Sequence, residues 1–435
     1  MNKTQFWLGF LLFTVPLWVG AGEDDYLETA KKAAHWLRAQ AVETPQGRTW
    51  PPDPQQPERL STALYHGSSG VVLFFLEMYR ATGDESYLND ALQGGQYLQA
   101  TLPEALTSPT QAGLYTGVGG VGFVLTELSR VSKDPVFRQG ALRCVDLTLA
   151  VMAENPGEVT DIVSGHAGIG LYLLDAAQRL DRPDALAMAE KLGKDLIAGA
   201  VHKPAGWSWP MTPDFPRVMP NFSHGTAGAA FFLSRLHEAT NNKDYLNAAL
   251  QGGNLLLALA REDGLIYHNQ PRDPDLYYLG WCHGPTGTTR LYEQLWRLTK
   301  KAVWREAAIK AMTAVRKLDI HQKRTPGFWN NVGICCGSAG VCMRAADFSR
   351  MTDDAAFQQF ASLVAEDIKA RATAENQGFK WIHAENRVQP DMVKAQTGYM
   401  QGAAGIGIAF LHLHYRQKDA SSTLRLPDQV PNKTN

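Results

Sequence analysis

The chain has 435 residues, 45% hydrophobic and 20% charged, which excludes a small disulfide-stapled module or a disordered polyelectrolyte and leaves room for a large hydrophobic core. Its 42 basic and 43 acidic side chains leave a net charge of −1, so no global field draws it to nucleic acid or to an anionic surface. Five cysteines, an odd number, are too sparse for a framework of bridges, and their positions matter more than their count.

In chain order, Lys3 precedes an apolar run over residues 6–19 that closes on Gly20-Ala21-Gly22 and is followed at once by acidic Glu23, Asp24 and Asp25. The run is short for a membrane span, and the small residues suit a signal peptidase, so residues 1–22 read as a signal peptide cut after about Ala21. The mature protein is then extracytoplasmic, periplasmic or secreted, without a stable membrane anchor, and its thiols meet an oxidising environment.

A first outer helix is predicted over residues 26–40. From there a motif recurs seven times, Gly-x-x-Gly followed by an apolar segment, with first glycines Gly67, Gly117, Gly165, Gly225, Gly284, Gly337 and Gly402. The segments after the glycines are apolar nearly all round, as in Val71-Val72-Leu73-Phe74-Phe75-Leu76, and belong inside a larger assembly. Between them lie segments with a one-sided pattern and an acidic start at Asp84, Asp134, Asp244 and Asp354, which suits half-exposed outer helices with charge-favoured N-termini. No strand-like alternation of useful length interrupts them. An open solenoid would solvate each apolar inner helix, whereas closure buries it, so the pattern predicts an all-α fold, an α/α toroid of seven helical hairpins over residues 23–420. The polar, proline-bearing stretch 421–435 reads as a disordered tail.

Three copies of the motif carry chemistry that the fold does not require: Asn221-Phe222-Ser223-His224-Gly225, Trp281-Cys282-His283-Gly284 and Ile334-Cys335-Cys336-Gly337. Equivalent repeat positions place Cys282, Cys335, Cys336 and His224 at one end of neighbouring inner helices, where helix N-termini favour a thiolate. Three convergent thiolates favour zinc with one coordination position open; a disulfide or plain packing are the alternatives. Cys144 and Cys342 do not sit beside a motif glycine and are assigned to packing. His66, His166 and His283 line a cavity at most, and Trp281 is assigned to packing.

The seven glycine motifs with Ser223-His224-Gly225, Trp281-Cys282-His283-Gly284 and Cys335-Cys336-Gly337 resemble the lanthionine synthetase C-like family over essentially the whole mature chain. The resemblance implies an α/α toroid with zinc held by Cys282, Cys335 and Cys336; the Cys-Cys pair stands where many members have Cys-His. It also implies addition of a thiol to a dehydroalanine or dehydrobutyrine to give a thioether, with a peptide or a small thiol as substrate. His224 matches the family histidine of acid/base work, and Asp161 matches an aspartate near the site. Peptide cyclases of the family often carry an arginine shortly before the Trp-Cys pair, where this chain has Tyr277-Tyr278-Leu279-Gly280.

Two other functions fit the same toroid. A glycoside hydrolase or lyase would draw its carboxylates from Asp161, Asp214, Asp273, Asp275, Glu385 and Asp391 and stack sugars on Trp207, Trp209, Trp329 and Trp381, although no pair stands out by spacing. A non-catalytic toroid would bind a peptide through a structural zinc. Asn221-Phe222-Ser223 is a formal glycosylation sequon beside His224, where a glycan would obstruct the cavity, which favours a bacterial setting.

Overall fold

The apolar segments after the glycine pairs form seven helices, and the one-sided segments form seven more. A computed structural model describes residues 25–215, 217–271, 276–420 and 424–431; the leader at 1–22 lies outside the described residues, as do Asp273 and Asp275. The helices are α1 (Asp25–Ala39), α2 (Ser68–Thr82), α3 (Glu85–Ala100), α4 (Val118–Ser132), α5 (Pro135–Glu154), α6 (His166–Leu180), α7 (Pro183–Ala198), α8 (Thr226–Thr240), α9 (Lys243–Leu259), α10 (Pro285–Thr299), α11 (Ala302–Lys317), α12 (Ser338–Thr352), α13 (Ala355–Ala370) and α14 (Ala403–Gln417). Even-numbered helices touch one another in order and α14 touches α2, which closes an inner ring; odd-numbered helices surround it. The fold is the expected α/α toroid.

Burial explains the two kinds of helix. In α2 every residue from Ser68 to Met78 is buried, whereas α3 buries only one stripe that includes Tyr87, Ala91 and Leu98. Asp84, Asp134 and Asp354 cap outer helices by accepting from the backbone N–H two residues on. In the fourth such segment the cap is Asn242, and Asp244 lies one residue inside the first turn. The second glycine of each motif lets the first helical turn press against the loop before it. A Cβ on Gly287 would lie 2.0 Å from the Trp281 carbonyl oxygen, and one on Gly340 2.1 Å from that of Ile334.

Ring closure differs from the simplest pairing of each outer helix with the inner helix that follows it. Each inner helix packs on the outer helix after it, so α1 has no such partner and lies along α14 instead. The first and last helices therefore form the seventh hairpin. Asp25 pairs with Lys369 of α13, and Trp36 Nε1 donates to Glu375 at 2.8 Å, which fastens the seam.

At the inner-helix N-terminal end, the residue two before each first glycine takes part in a closed backbone circuit. The N–H of Tyr65 donates to the Tyr115 carbonyl (2.8 Å), Tyr115 to Val163 (3.0 Å), Ile162 to Ser223 (3.0 Å), and Ser223 to Cys282 (2.8 Å). Cys282 then donates to Cys335 (3.1 Å), Cys335 to Met400 (3.0 Å), and Met400 back to Tyr65 (2.8 Å). Apart from the third repeat, where Ile162 donates in place of Val163, equivalent positions of the repeats are thereby held in one ring.

The other end carries ion pairs between neighbouring inner helices. Glu127 of α4 is gripped by Arg80 of α2 (2.6 Å) and Arg179 of α6, Arg297 of α10 reaches Glu238 of α8, Arg344 of α12 reaches Glu293 of α10 (2.8 Å), and Arg416 of α14 reaches Asp347 of α12. Burial would raise the Glu127 pKa, but Arg179 and Arg80 outweigh it and hold the carboxyl below its ordinary value. Its contribution to stability is complete above the unfolded-state value of about 4.3 and fades as pH falls towards the folded value. Glu127→Gln removes the carboxylate shared by half-buried Arg80 and Arg179, which keep Glu77 and Asp175 as partners, and a loss of about 1.5 kcal/mol in urea unfolding is expected. A loss under about 0.5 kcal/mol would show that the belt adds nothing to closure.

Short strands, absent from the sequence reading, connect some hairpins. They are β1 (Val42–Thr44) with β2 (Gly47–Thr49), β3 (Val201–Lys203) with β4 (Gly206–Ser208), β5 (Thr373–Glu375) with β6 (Gly378–Lys380), and β7 (Ile382–Ala384) with β8 (Val393–Ala395), each pair antiparallel. Three residues are too few to leave an alternating signature. After each of the first three pairs a buried tryptophan, Trp50, Trp209 or Trp381, donates its indole N–H to a carbonyl near the end of the preceding outer helix, at Leu37, Leu196 or Ile368. Trp209 and Trp381 are thus packing residues rather than sugar platforms.

The reading of residues 421–435 as disordered fails for 424–431. There Leu426 and Asp428 are buried, and the segment is held by Arg235, which donates to the carbonyls of Pro427 (3.3 Å) and Gln429 (3.1 Å), and by Arg290. Composition misled because this polar stretch finds its partners inside the toroid, on helices far away in sequence.

Candidate metal centre

The three residues ahead of each first glycine form three layers at one end of the ring. Three before it come Leu64, Leu114, Ile162, Phe222, Trp281, Ile334 and Tyr399, all buried, as an apolar floor. Two before it lies the backbone circuit, with Cys282 and Cys335 adjacent in it. One before it come His66, Thr116, Ser164, His224, His283, Cys336 and Gln401, six of them at least partly exposed above the floor. A cysteine in the last two layers of adjacent repeats has little choice but to meet its neighbours.

They do meet. The Sγ atoms of Cys282, Cys335 and Cys336 lie within 4.8 Å of one another, with Cys282 to Cys336 at 3.3 Å and Cys336 to Cys335 at 3.4 Å, and none is in a disulfide. Tetrahedral zinc with Zn–S of about 2.3 Å needs sulfurs about 3.8 Å apart, so this donor set can hold such an ion with small adjustments. Gly280 permits the approach: a Cβ there would sit 2.6 Å from the Cys335 carbonyl oxygen and 2.8 Å from Cys336 Cα. The thiols of Cys282 and Cys336 hold the Cys335 thiol well below its ordinary pKa, so a thiolate forms first at Cys335.

Beside the cluster, His224 Nδ1 bonds Asp161 Oδ2 at 2.6 Å, while Asp161 Oδ1 accepts from the N–H groups of Ser164 (2.8 Å) and Gly165 (2.9 Å). A buried carboxylate fixed on two backbone donors sets the imidazole tautomer, with the proton on Nδ1 and Nε2 left for chemistry. Burial opposes charge on His224, but the Asp161 hydrogen bond and charge prevail and its pKa is raised. His283, stacked obliquely 5.6 Å from His224, is driven well below its ordinary value by burial and by the two histidines nearby, and its Nδ1 is buried without a partner.

Several neighbours of the thiols escaped the sequence reading. Gln401 Nε2 donates to the Tyr65 hydroxyl at 3.2 Å and points to Cys336 Sγ at 3.9 Å, and Asn331 holds the Gln401 amide oxygen at 2.9 Å. Burial, and then the charges of Cys335 and Cys336, push the Tyr65 phenol well above its usual range. On another side, Tyr278 packs against His268, His283 and Trp329, and its hydroxyl accepts from Arg387 Nε at 3.0 Å. A cation therefore does approach the stretch before Trp281, but from the loop joining β7 to β8. Counting back from Gly67 and Gly402 would have found Tyr65 and Gln401; no spacing rule points to Arg387.

Cys144 and Cys342 are buried apart from the cluster, and burial drives both thiols upwards in pKa. His166 is the first residue of α6 and bonds the Pro156 carbonyl at 2.8 Å, whereas burial lowers the pKa of His66. Of the carboxylates named for a hydrolase, Asp161 serves His224, Glu385 pairs with Lys394 and Gln396, and Asp214 and Asp391 are exposed. Trp207 stacks on His202 and Trp329 donates to the Ala384 carbonyl, so neither is a free platform. The sequon asparagine, Asn221, is 1% exposed and accepts from Thr288 at 3.1 Å, so it cannot carry a glycan in the folded protein.

With this geometry in place, comparison with known proteins gives a consistent result. The chain belongs to the lanthionine synthetase C-like protein family, whose match spans residues 58–426. Among solved structures it is similar to nisin cyclase, with a TM-score of 0.64 at 15% identity over 92% of this chain and 95% of that one. The α-1,6-mannanase GH76A of Salegentibacter sp. HEL1_6 follows at 0.51 and 13%, over 90% of this chain and 99% of that one. An unsaturated glucuronyl hydrolase specific for heparin gives 0.51 and 14%, over 91% and 98%. At such identities these likenesses show the fold alone. No curated protein matches the chain by sequence. No helix among the described residues is long and apolar enough to cross a membrane.

Proposed function

We propose that the chain is an exported zinc enzyme that adds a thiol to a dehydroamino acid residue of a peptide, forming a thioether. The observation that carries this reading is the convergence of Cys282, Cys335 and Cys336 beside an Asp161-oriented His224. Zinc held by the three sulfurs would lower the pKa of a substrate thiol taken as fourth ligand, so that a thiolate exists at neutral pH.

The remaining steps belong to the chain's own groups. The substrate sulfur attacks the β-carbon, an S–C bond forms, and the alkene electron pair moves onto the α-carbon and its carbonyl. Arg387, through the Tyr278 hydroxyl, offsets the negative charge that develops there, in place of the arginine that peptide cyclases often carry before the Trp-Cys pair. His224, protonated at Nε2 and steadied by Asp161, returns to the α-carbon the proton given up by the thiol. Thiol and alkene are consumed, thioether is made, and no other reactant is needed.

Family membership and the similarity to nisin cyclase support a peptide acceptor, while the leader at 1–22 supports work outside the cytoplasm. Against a hydrolase reading stand the partners of its candidate carboxylates, with Asp161 bound to His224 and Glu385 to Lys394 and Gln396. The test is to incubate the chain lacking residues 1–22 with zinc, glutathione and a synthetic peptide bearing one dehydroalanine, and to follow the peptide mass. A gain equal to one glutathione, absent without protein, is expected. Bound zinc with no product at the metal-loaded site would leave a binding toroid and overturn the catalytic reading.

A further inference from the structure

The C-terminal segment returns to the centre of the ring, and its most buried group is an acid. Asp428 is 0% exposed. Its Oδ2 accepts from Trp281 Nε1 at 3.0 Å and from Arg290 Nη1 at 2.7 Å, and its backbone carbonyl accepts from the same Arg290 nitrogen at 3.1 Å. A carboxylate gives up much hydration on burial at such depth and stays only where donors replace the lost water. Here one donor belongs to Trp281, which directly precedes Cys282.

Trp281 is otherwise fixed by rings, edge-on to Tyr115 at 5.1 Å and to Phe222 at 5.8 Å between centroids. Those contacts hold the plane of the indole, but apolar edges leave it free to slide within that plane. The Asp428 hydrogen bond is directional and removes the slide. The next peptide is then set: the Cys282 carbonyl accepts from Phe222 (3.1 Å) and Ser223 (2.8 Å), and its N–H donates to Cys335 (3.1 Å). A cavity of about 550 Å3 lies on the same side of the floor as the tail, lined among others by Trp281, Arg290, Arg344 and Leu426, so packing alone does not support the indole from below.

We infer that Asp428 is a positioning residue for the thiol cluster: the C-terminal segment is a strut that, through the Asp428 to Trp281 hydrogen bond, holds Cys282 in register with Cys335 and Cys336. The inference rests on the zinc reading above, and it assigns to the tail a part in metal affinity that the fold does not need. In metal sites generally, loss of a group that orients a ligand weakens binding by about 10- to 100-fold.

The experiment compares Asp428→Ala, Trp281→Phe and Leu426→Ala in the full mature chain. Leu426→Ala removes tail packing without touching Trp281 and serves as the control for stability. Three quantities are read for each: melting temperature, zinc dissociation constant by chelator competition, and the visible spectrum of the Co2+-substituted protein. Asp428→Ala and Trp281→Phe are each expected to weaken zinc binding at least about tenfold and to shift the Co2+ bands. The double variant should be no weaker than the worse single one, since both break one bond. Leu426→Ala should lower the melting temperature with zinc affinity and spectrum unchanged. If Asp428→Ala does not fold, Trp281→Phe carries the test, because it keeps an aromatic side chain on Tyr115 and Phe222 while removing the indole donor. The inference is overturned if either site variant merely loses stability while zinc affinity and spectrum match the wild type. A wild type that binds no metal overturns both this and the zinc reading.

Discussion

Cys335→Ala is expected to abolish metal binding, taking the protein from about one zinc per chain to less than about 0.1 after dialysis against a chelator. Cys335 accepts from the Cys336 thiol at 3.4 Å, and its thiol neighbours Cys282 and Cys336 hold it well below its ordinary pKa, so it is the group that ionises first. Two thiols would remain in a site built for three. Cys282→Ala and Cys336→Ala should behave alike, while Cys144→Ala and Cys342→Ala, on buried thiols outside the cluster, should keep the ion. Elemental analysis with a free-thiol count reads the result, and a wild type carrying a disulfide among these three sulfurs and no zinc would remove the basis for the proposed chemistry.

The second large effect concerns the proton. His224→Gln should retain zinc and lower kcat/KM for thiol addition by about 10²- to 10⁴-fold, the usual range for a lost general acid. Asp161→Asn tests the origin of the raised His224 pKa. As an acid His224 must be protonated, so the rate falls as pH rises through its pKa. In the wild type this basic limb lies above the ordinary imidazole value, because the Asp161 bond and charge outweigh burial. Without the carboxylate, burial is opposed only by the Cys335 charge, and the limb should move to lower pH. A pH–rate profile of Asp161→Asn that overlays the wild type would show that the pair does not set the protonation of the acid.

Much of the site was legible because repetition converts distance in sequence into proximity in space. Cys282 and Cys335 occupy the same place in successive repeats, and counting from the glycines was enough to predict that they meet with Cys336. The same counting, carried to Tyr65 and Gln401, would have reached the groups behind the thiols. Arg387 was beyond it, since a loop between two three-residue strands has no repeat partner. Composition failed at the tail, where a polar, proline-bearing stretch read as disordered.

The sequence by itself determined the number of hairpins, which helices are inner, the caps at Asp84, Asp134 and Asp354, and the place where thiols and His224 gather, because periodic burial, capping and glycine spacing are local or repeating properties. Only the tertiary structure decided that α1 closes on α14, that Arg387 reaches Tyr278, and that Asp428 lies beneath Trp281. Each of those depends on a single long-range contact, whose energy is set by the water it excludes and the donor it meets rather than by any pattern along the chain.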